Sequence, residues 1–283
     1  MLKKEFLEII PERKRDSHKG DHGHVLVLAG SMGMTGAAAL CSLGALRCGC
    51  GLVTLGIPRS LNAIMETKLT EVMTRPLPET RNVSLSLEAL PKIKKMVKGV
   101  DAVALGPGLS IDKGTKRLVN KLVKVIDKPL VIDADALNCI ASNIAALKSV
   151  KSPIIITPHP GEMSRLSGLE IDTIQRNRQK VAKDLARQCN LIVVLKGNNT
   201  VVSDGKANNF VNESGNPGMG TGGTGDILTG MIASFLAQGV PAFKAAKLAV
   251  YIHGKAGDLA AREKGEIGLI AGDILEKVPE AFK

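Results

Sequence analysis

The chain is poor in aromatic residues: it has no Trp, one Tyr and five Phe, and aromatics make up 2% of the sequence. A single-strand nucleic-acid binder needs aromatic platforms on which bases stack, and none is available here. Any hydrophobic core must be aliphatic. The five cysteines, Cys41, Cys48, Cys50, Cys139 and Cys189, form no CxxC pair and are odd in number. They read as reduced, buried, structural thiols of a cytoplasmic protein, not as metal ligands or a disulfide framework. No apolar run approaches the roughly eighteen residues of a membrane span, so no membrane partner is expected. The opening MLKKEFLEII is short and charged, unlike a signal peptide. No zinc-finger spacing occurs, and no basic run continues into heptads, so no nucleic-acid partner is expected. No GxxxxGK[ST] is present, and no GxGxxG follows the first strand in dinucleotide-binding spacing, which argues against a P-loop protein and against hydride transfer.

What the chain has is aliphatic content and positive charge. Its 283 residues are 44% hydrophobic, enough for one large core or two small ones. Neither a repeat nor a linker stands out, so residues 1–283 are expected to form a single domain. The net charge of +11 is spread along the chain, which suits small polyphosphate ligands. Short aliphatic runs at 25–28, 52–57, 71–74, 100–105, 130–132, 154–156 and 191–195 predict strands. Between them, residues 35–48, 59–65, 88–98, 113–126 and 173–189 predict helices, and 243–262 predicts another near the end. Residues 1–20 read as a short helix and a lead-in loop. Residues 201–211 predict a hairpin around Asp204-Gly205. The alternation predicts an α/β fold: a doubly wound, mostly parallel sheet with helices on both faces, in three α/β/α layers. Unusual residues stand where strands end: AGS, GPGL, DAD, TPHPGE and KGNNT. In open α/β sheets ligands sit outside the carboxyl ends of the strands, so these segments are expected to converge on one crevice.

The stretch from 212 to 238, NESGNPGMGTGGTGDILTGMIASFLAQ, organises the rest. Its second half places apolar residues at Ile227, Leu228, Met231, Ile232, Phe235 and Leu236, which is helical spacing. Its glycines, among them Gly222, Gly223 and Gly225, lead into that helix. Free amides and the helix dipole at such an N-terminus attract anions, and glycines let the backbone approach a phosphate. Asp226 does not fit an anion site unless it takes a proton from the group attacking a phosphate; its other reading is a helix cap. Lys196 ends a buried strand and reads as a phosphate contact or as a snorkelling surface lysine. Gly197, Asn198, Asn199 and Thr200 follow it as ribose or phosphate contacts, or as turn residues. His159 lies between Pro158 and Pro160, which aim it, either at a substrate or merely into a capped loop. Glu162 either caps the following helix or positions magnesium through water. Asp133 and Asp135, as i and i+2 of an extended segment, are expected to point the same way and suggest Mg²⁺, although helix capping suits Asp135 better.

The stretches HKGDHGHVLVLAGS, TGAAAL, ALGPGL, VIDADALN, TPHPGE, VVLKGNNTVV, NPGMGTGGTGDILTG and AVYIHG span residues 18–254. Together the chain resembles the ADP/ATP-dependent NAD(P)H-hydrate dehydratases of the ribokinase-like superfamily. GTGD alone is shared with other small-molecule kinases; TPHPGE, KGNNT and NPGMGTGGTGD in this order are more specific. The resemblance implies a ribokinase-like fold and a substrate, NADH or NADPH hydrated at C6 of the nicotinamide ring. It implies phosphorylation of that hydroxyl from ADP (or ATP) with Mg²⁺, then loss of phosphate. It implies that Lys196, Gly197, Asn198, Asn199, Thr200 and Gly225 hold the nucleotide, with the amides of Gly222, Gly223, Thr224 and Gly225 around its phosphates. Ala37, Gly108, His159 and Asp226 would contact the hydrate, and Asp226 would be the catalytic base. Asp133 and Glu162 are the metal candidates. A stand-alone dehydratase, without a fused epimerase domain, and a homo-oligomer, a tetramer by analogy, are implied as well. The alternatives are a ribokinase-like kinase that stops at the phosphorylated product and a nucleotide-sensing binding module.

Overall fold

Short aliphatic strands buried on both faces have one stable use, the interior of a sheet with helices packed on each side. The structure, a computed structural model, describes residues 4–283. Strands β1 (His24–Leu28), β2 (Leu52–Pro58), β3 (Met73–Leu77), β4 (Ala102–Leu105), β5 (Leu130–Ile132), β6 (Ile154–Ile156), β7 (Ile192–Leu195), β8 (Val201–Ser203) and β9 (Asn209–Val211) form one sheet in the order β3-β2-β1-β4-β5-β6-β7-β8-β9. β1 to β7 run parallel, whereas β8 and β9 are antiparallel additions at one edge. The helices are α1 (Lys4–Leu7), α2 (Thr35–Arg47), α3 (Asn62–Lys68), α4 (Leu90–Val97), α5 (Lys113–Val125), α6 (Asp135–Ile140), α7 (Pro160–Ser167), α8 (Ile171–Arg176), α9 (Arg178–Cys189), α10 (Thr224–Ala237), α11 (Ala242–Lys264) and α12 (Ala271–Ala281).

Alternation along each strand divides the apolar residues between two cores. Val25 and Val27 of β1 join a core with α2, α10, α11 and α12. Leu26 and Leu28 join the other, with α4, α5, α6 and α9. The expected three-layer α/β/α arrangement is what the chain adopts, and the five cysteines are all buried in it.

Several local readings change. The third strand starts later than expected, at Met73, and contains Pro76; it is an edge strand, where a missing N–H is tolerated. The helix expected over 173–189 is two helices, because Asn177 leaves helical geometry at φ −130°, ψ 34°. The hairpin forms, but with a wider loop: the Asp204 amide bonds the Asn208 carbonyl, and the Asp204 carboxylate accepts from the amides of Lys206 and Asn208. α12 has no counterpart among the expected helices. Residues 1–3 of the expected N-terminal helix and of the expected single domain lie outside the described residues.

One packing feature fixes the position of the 212–238 stretch. α10 lies directly on α2, and the contact is backbone to backbone. A Cβ on Gly230 would lie 1.9 Å from the Cys41 carbonyl oxygen, and one on Gly44 would lie 2.6 Å from the Ile227 carbonyl oxygen. No side chain fits between the helices there. Gly230→Ala should therefore push them apart and lower stability by about 1–3 kcal/mol, the usual effect of overpacking. Gly36, in the first turn of α2, has open space around its Cβ position and no positive φ. Gly36→Ala should be neutral or stabilising by up to about 1 kcal/mol. Urea unfolding of the two variants checks the contrast; shifts of the same sign and size would mean the helices are not in contact.

Candidate active site

The order of the sheet creates the crevice. From β1 the chain moves outward through β2 to β3, then returns to β4 on the other side of β1. The loops after β1 and β4 therefore leave in opposite directions, as at other switch points of open α/β sheets. They are nonetheless tied at their bases: the Gly30 amide donates to the Pro107 carbonyl at 2.9 Å, and the Ser31 hydroxyl donates to the Gly108 carbonyl at 2.8 Å. Gly108 has φ +61°, and a Cβ on it would sit 3.1 Å from the Ala37 Cβ. Two of the expected substrate contacts, Ala37 and Gly108, are thus neighbours.

The strand ends beside this loop carry charge. Lys196, one residue past β7, reaches across to Asp133, one residue past β5, with Nζ to Oδ1 at 2.6 Å. The other oxygen of Asp133 accepts from the Thr229 hydroxyl of α10 at 2.6 Å. Glu162 of α7 lies 3.9 Å from the same ammonium. Burial alone would lower the Lys196 pKa, but the charges of Asp133 and Glu162 and the hydrogen bond outweigh it, so it is raised. Glu162 is pushed up by burial, with Lys196 working against that.

Asp226 stands above this group, in the first turn of α10. The N-cap of α10 is Gly223, and no side chain caps it. The Asp226 carboxylate makes no hydrogen bond among the described residues, so the capping reading fails. Burial raises its pKa to about 7, supported by Asp133, Asp135 and Glu162 and opposed by Lys196. A half-buried carboxylate with no fixed donor and a proton affinity near neutrality is suited to general-base work.

The metal candidates read differently in three dimensions. Ala134 adopts φ 50°, ψ −123°, so the Asp133–Asp135 segment is not extended and the two carboxylates do not act as a pair. Asp133 is 1% exposed and both its oxygens are engaged by Lys196 and Thr229, which removes it as a direct metal ligand. Asp135 does not cap α6; its Oδ2 accepts from the Ser110 amide at 2.8 Å. Glu162 is the third residue of α7 and closes a capping box: its Oε2 accepts from the amide of His159, the N-cap, at 2.8 Å. No group of three or more His, Cys, Asp or Glu among the described residues could form a metal cage. The residues fit a magnesium ion that arrives on phosphate oxygens and keeps most of its water, which is how magnesium commonly binds beside nucleotides.

His159 is an N-cap as well as a crevice residue. Its Nδ1 accepts from the amides of Gly161 and Glu162, so in the neutral ring the proton sits on Nε2, 3.4 Å from Glu162 Oε1. Burial, then the charges of Lys196 and Arg165, lower its pKa. A neutral ring fixed this way presents a surface; it is poorly placed to shuttle protons through Nδ1.

Beside Asp226 opens a cavity of about 550 Å³. Lys196, Gly197, Asn198, Asn199 and Thr200 line one side, and Thr224 and Gly225 of α10 line another. Gly222 and Gly223 are not part of its lining. The positive φ needed to enter α10 belongs to Gly223, at +94°, not to Gly225. The first amides of α10 have no intrahelical acceptor and so remain available to an anion. Thr224 Oγ1 is buried in the cavity wall without any hydrogen-bond partner, a vacancy that a polar ligand would satisfy. The Gly197 to Thr200 turn is held from behind by Arg178, which donates to the carbonyls of Leu195 and Lys196.

The opposite wall was not legible residue by residue. Asn212, Ser214, Asn216 and His253 line it. Asp258 of α11 holds the loop, accepting from the Gly215 amide and the Asn216 side chain. His253 donates from Nε2 to the Thr224 carbonyl at 3.0 Å, and burial lowers its pKa to about 4. The Asn- and Gly-rich NESGNPG run was the available signal for the loop. His253, in the middle of a long helix, stood only within AVYIHG and was not singled out as a site residue.

Known proteins resemble this chain in sequence and in fold. Residues 25–280 match the family described as NAD(P)H-hydrate dehydratase. The bifunctional NAD(P)H-hydrate repair enzyme Nnr of Moorella thermoacetica is 44% identical over 274 residues, covering 97% of this chain and 52% of the relative. The chain thus spans about half the length of the bifunctional relatives it matches. The ADP-dependent (S)-NAD(P)H-hydrate dehydratase of Bacillus subtilis is 34% identical, covering 97% of this chain and 94% of the relative. The crystal structure of the ADP/ATP-dependent NAD(P)H-hydrate dehydratase from Bacillus subtilis, co-crystallised with ATP/Mg²⁺, superposes with a TM-score of 0.82 at 31% identity over 98% of this chain and 95% of that one. Hydroxyethylthiazole kinase from Pyrococcus horikoshii shares the fold, with a TM-score of 0.64 at 18% identity. With a ribokinase-like fold and a match across nearly its whole length, the chain belongs to the NAD(P)H-hydrate dehydratase family.

Proposed function

We propose that this chain restores NADH or NADPH from the form hydrated at C6 of the nicotinamide ring, using ADP or ATP as phosphoryl donor with Mg²⁺. The observation that carries the reading is Asp226: an unpaired carboxylate with a pKa raised to about 7, beside a cavity the size of a nucleotide site. Asp226 takes the proton from the C6 hydroxyl, and the oxygen attacks the terminal phosphorus of the donor. The bond from that phosphorus to the nucleotide breaks, leaving a phosphate ester at C6. The ring nitrogen then expels the ester as inorganic phosphate, and loss of a proton from C5 restores the double bond. The amides of Thr224 and Gly225 and the Lys196 ammonium are placed to stabilise phosphate charge, which is most of what phosphoryl transfer requires. Asn198, Asn199 and Thr200 hold the nucleotide. Ala37, Gly108 and His159 face the hydrate. Glu162 would hold a phosphate-borne magnesium through water, and the ion would supply further charge neutralisation.

The single continuous sheet supports reading the chain as one domain. No helix among the described residues is long and apolar enough to cross a membrane. Exposed Met32, Met34 and Ile111 at the carboxyl ends of β1 and β4 support the homo-oligomer, and buried thiols support the cytoplasmic setting.

The deciding experiment incubates the protein with hydrated NADH, ADP and Mg²⁺ and follows the absorbance of the reduced nicotinamide. Its return with release of free phosphate supports the dehydratase. A stable phosphorylated alcohol would instead identify a kinase, and no turnover at all a nucleotide-binding module.

Asp226→Asn should lower turnover on the order of 100–10,000-fold while leaving nucleotide binding intact. A variant that keeps more than about a tenth of the rate would exclude Asp226 as the base. The pH dependence follows from the same carboxylate. It must be ionised to act, and its native pKa is raised to about 7. The log of kcat/KM should therefore rise with pH, with unit slope below about 7 and a plateau above. A profile that is level from acid through neutral pH would contradict the assignment.

A Cβ on Gly225 would lie 3.3 Å from Lys196 Nζ. Gly225→Val should then fill the space beside the ammonium and block the phosphate position, leaving the Asp133–Lys196 pair and the core in place. Thermal melting with and without ADP tests this. The variant should melt close to wild type and lose the ADP-induced rise. Full stabilisation by ADP would remove this loop from the phosphate site.

A further inference from the structure

The amino-terminal side of the sheet, away from the crevice, has a cavity of its own, about 520 Å³ in volume. It lies on the face of β1, β2 and β3 where α4 ends. Leu26, Met73, Leu77, Met96 and Val100 form apolar walls. The space exists because β2 presents only small residues on this face. Leu28 and Leu77 close over Gly56, where a Cβ would lie 2.8 Å from each, and Thr54 beside it leaves the remainder open.

Apart from Asp101, whose carboxylate accepts from the His24 amide at 2.8 Å behind the base, the polar groups of the cavity are neutral or cationic. His24 is fixed at its base. The Gly99 carbonyl can only accept, so Nδ1 carries the proton, and Nε2 accepts from the Thr54 hydroxyl at 2.8 Å. Burial lowers the His24 pKa and keeps the ring neutral. Around the rim stand Arg75, Lys92 and Lys95, all exposed. None of the three has a carboxylate within ion-pair distance among the described residues, and no acidic residue lines the cavity. Exposed lysines are usually solvated, and where they meet an acid, as Lys180 meets Asp184, the pair is weak. What sets these three apart is that they converge on the rim of one apolar hollow. A volume of several hundred Å³ with mostly apolar walls and a few convergent polar groups is the form of a small-molecule site.

We propose that this cavity binds a small amphiphilic anion. Its aliphatic or aromatic body packs on Leu26, Met73, Leu77 and Met96, and its carboxylate or phosphate head is held by Arg75, Lys92 and Lys95. The site is separate from the nucleotide cavity and does not depend on the proposed reaction.

The walls contain their own reporters, because Met73 and Met96 are two of the nine methionines of the chain. Methyl-labelled protein, with the two signals assigned through Met73→Leu and Met96→Leu, is titrated with octanoate, octyl phosphate and neutral octanamide. Octanoate or octyl phosphate should shift both signals saturably and leave Met219, which lines the nucleotide cavity, unmoved. Whichever anion binds more tightly identifies the preferred head. The double variant Lys92→Gln, Lys95→Gln alters only exposed side chains, so it should melt like wild type and bind roughly fivefold to tenfold more weakly, the loss of two exposed charge contacts. Octanamide should be weakened similarly on the wild type. No saturable shift at millimolar probe would overturn the proposal. Equal binding of octanoate and octanamide, or full affinity in the double variant, would do the same, since either would show that the cations hold nothing. Shifts led by Met219 would place the probe in the nucleotide cavity and equally overturn it.

Discussion

The structure turns on an ammonium that is shared by more carboxylates than it can neutralise. Lys196 is paired with Asp133, lies near Glu162, and is felt by Asp226. Asp133 is held in turn by Thr229, so one ion pair links the ends of β5 and β7 to the second turn of α10. Removing either partner alone would leave a buried, uncompensated charge, a change that costs about 3–5 kcal/mol. The same arrangement explains why Asp226 has so high a proton affinity. Burial opposes its ionisation, the carboxylates below it oppose it further, and the single lysine only partly compensates. A structural ion pair and the raised pKa of Asp226 are here two consequences of one cluster.

The backbone places that cluster under the right helix. α10 can lie above the ends of β4 and β5 only because it approaches α2 at glycine-to-backbone distance, through Gly44 and Gly230. Gly223, in a left-handed conformation beneath Leu40 and Ala271, turns the chain into the helix. The glycines of this stretch thus divide their work. Some admit another helix, one bends the loop, and Gly225 leaves space beside the Lys196 ammonium. The cavity between the 196–200 turn and the 212–220 loop follows, with Arg178 bracing one wall and Asp258 the other.

Charge is distributed to match. The chain is strongly basic overall, yet the base of the crevice is acidic, with Asp133, Asp135, Glu162 and Asp226 around one lysine. Under the proposed reading, the amides of α10 and Lys196 would take the charge of the phosphate donor, and Glu162 would hold its magnesium through water. At the other end of the sheet Asp101 is engaged by the His24 amide, and Arg75, Lys92 and Lys95 have no carboxylate in ion-pair distance among the described residues, so the two ends of the same strands favour different ligands.

The sequence by itself determined the layer order of the fold and the position of the crevice. Aliphatic runs of three to seven residues separated by helical periodicity leave a parallel sheet as the economical solution, and unusual residues at five strand ends point to one side of it. Lys196, Gly225 and Asp226 could be singled out because each breaks a local rule: a lysine closing a core strand, a glycine in a helix start, a carboxylate in an anion site. What the tertiary structure alone decided is which partner each of them meets. The Asp133–Lys196 pair spans 63 positions and the Asp133–Thr229 bond 96, and nothing in a local window encodes either. For that reason Asp133 looked like a metal ligand and proved to be a buried counter-ion. Glu162 and His159 turned out to be capping partners of one helix turn, and His253 entered the site unannounced from α11. Local chemistry names the groups that are out of place; only the packing of distant segments decides which charge each one answers.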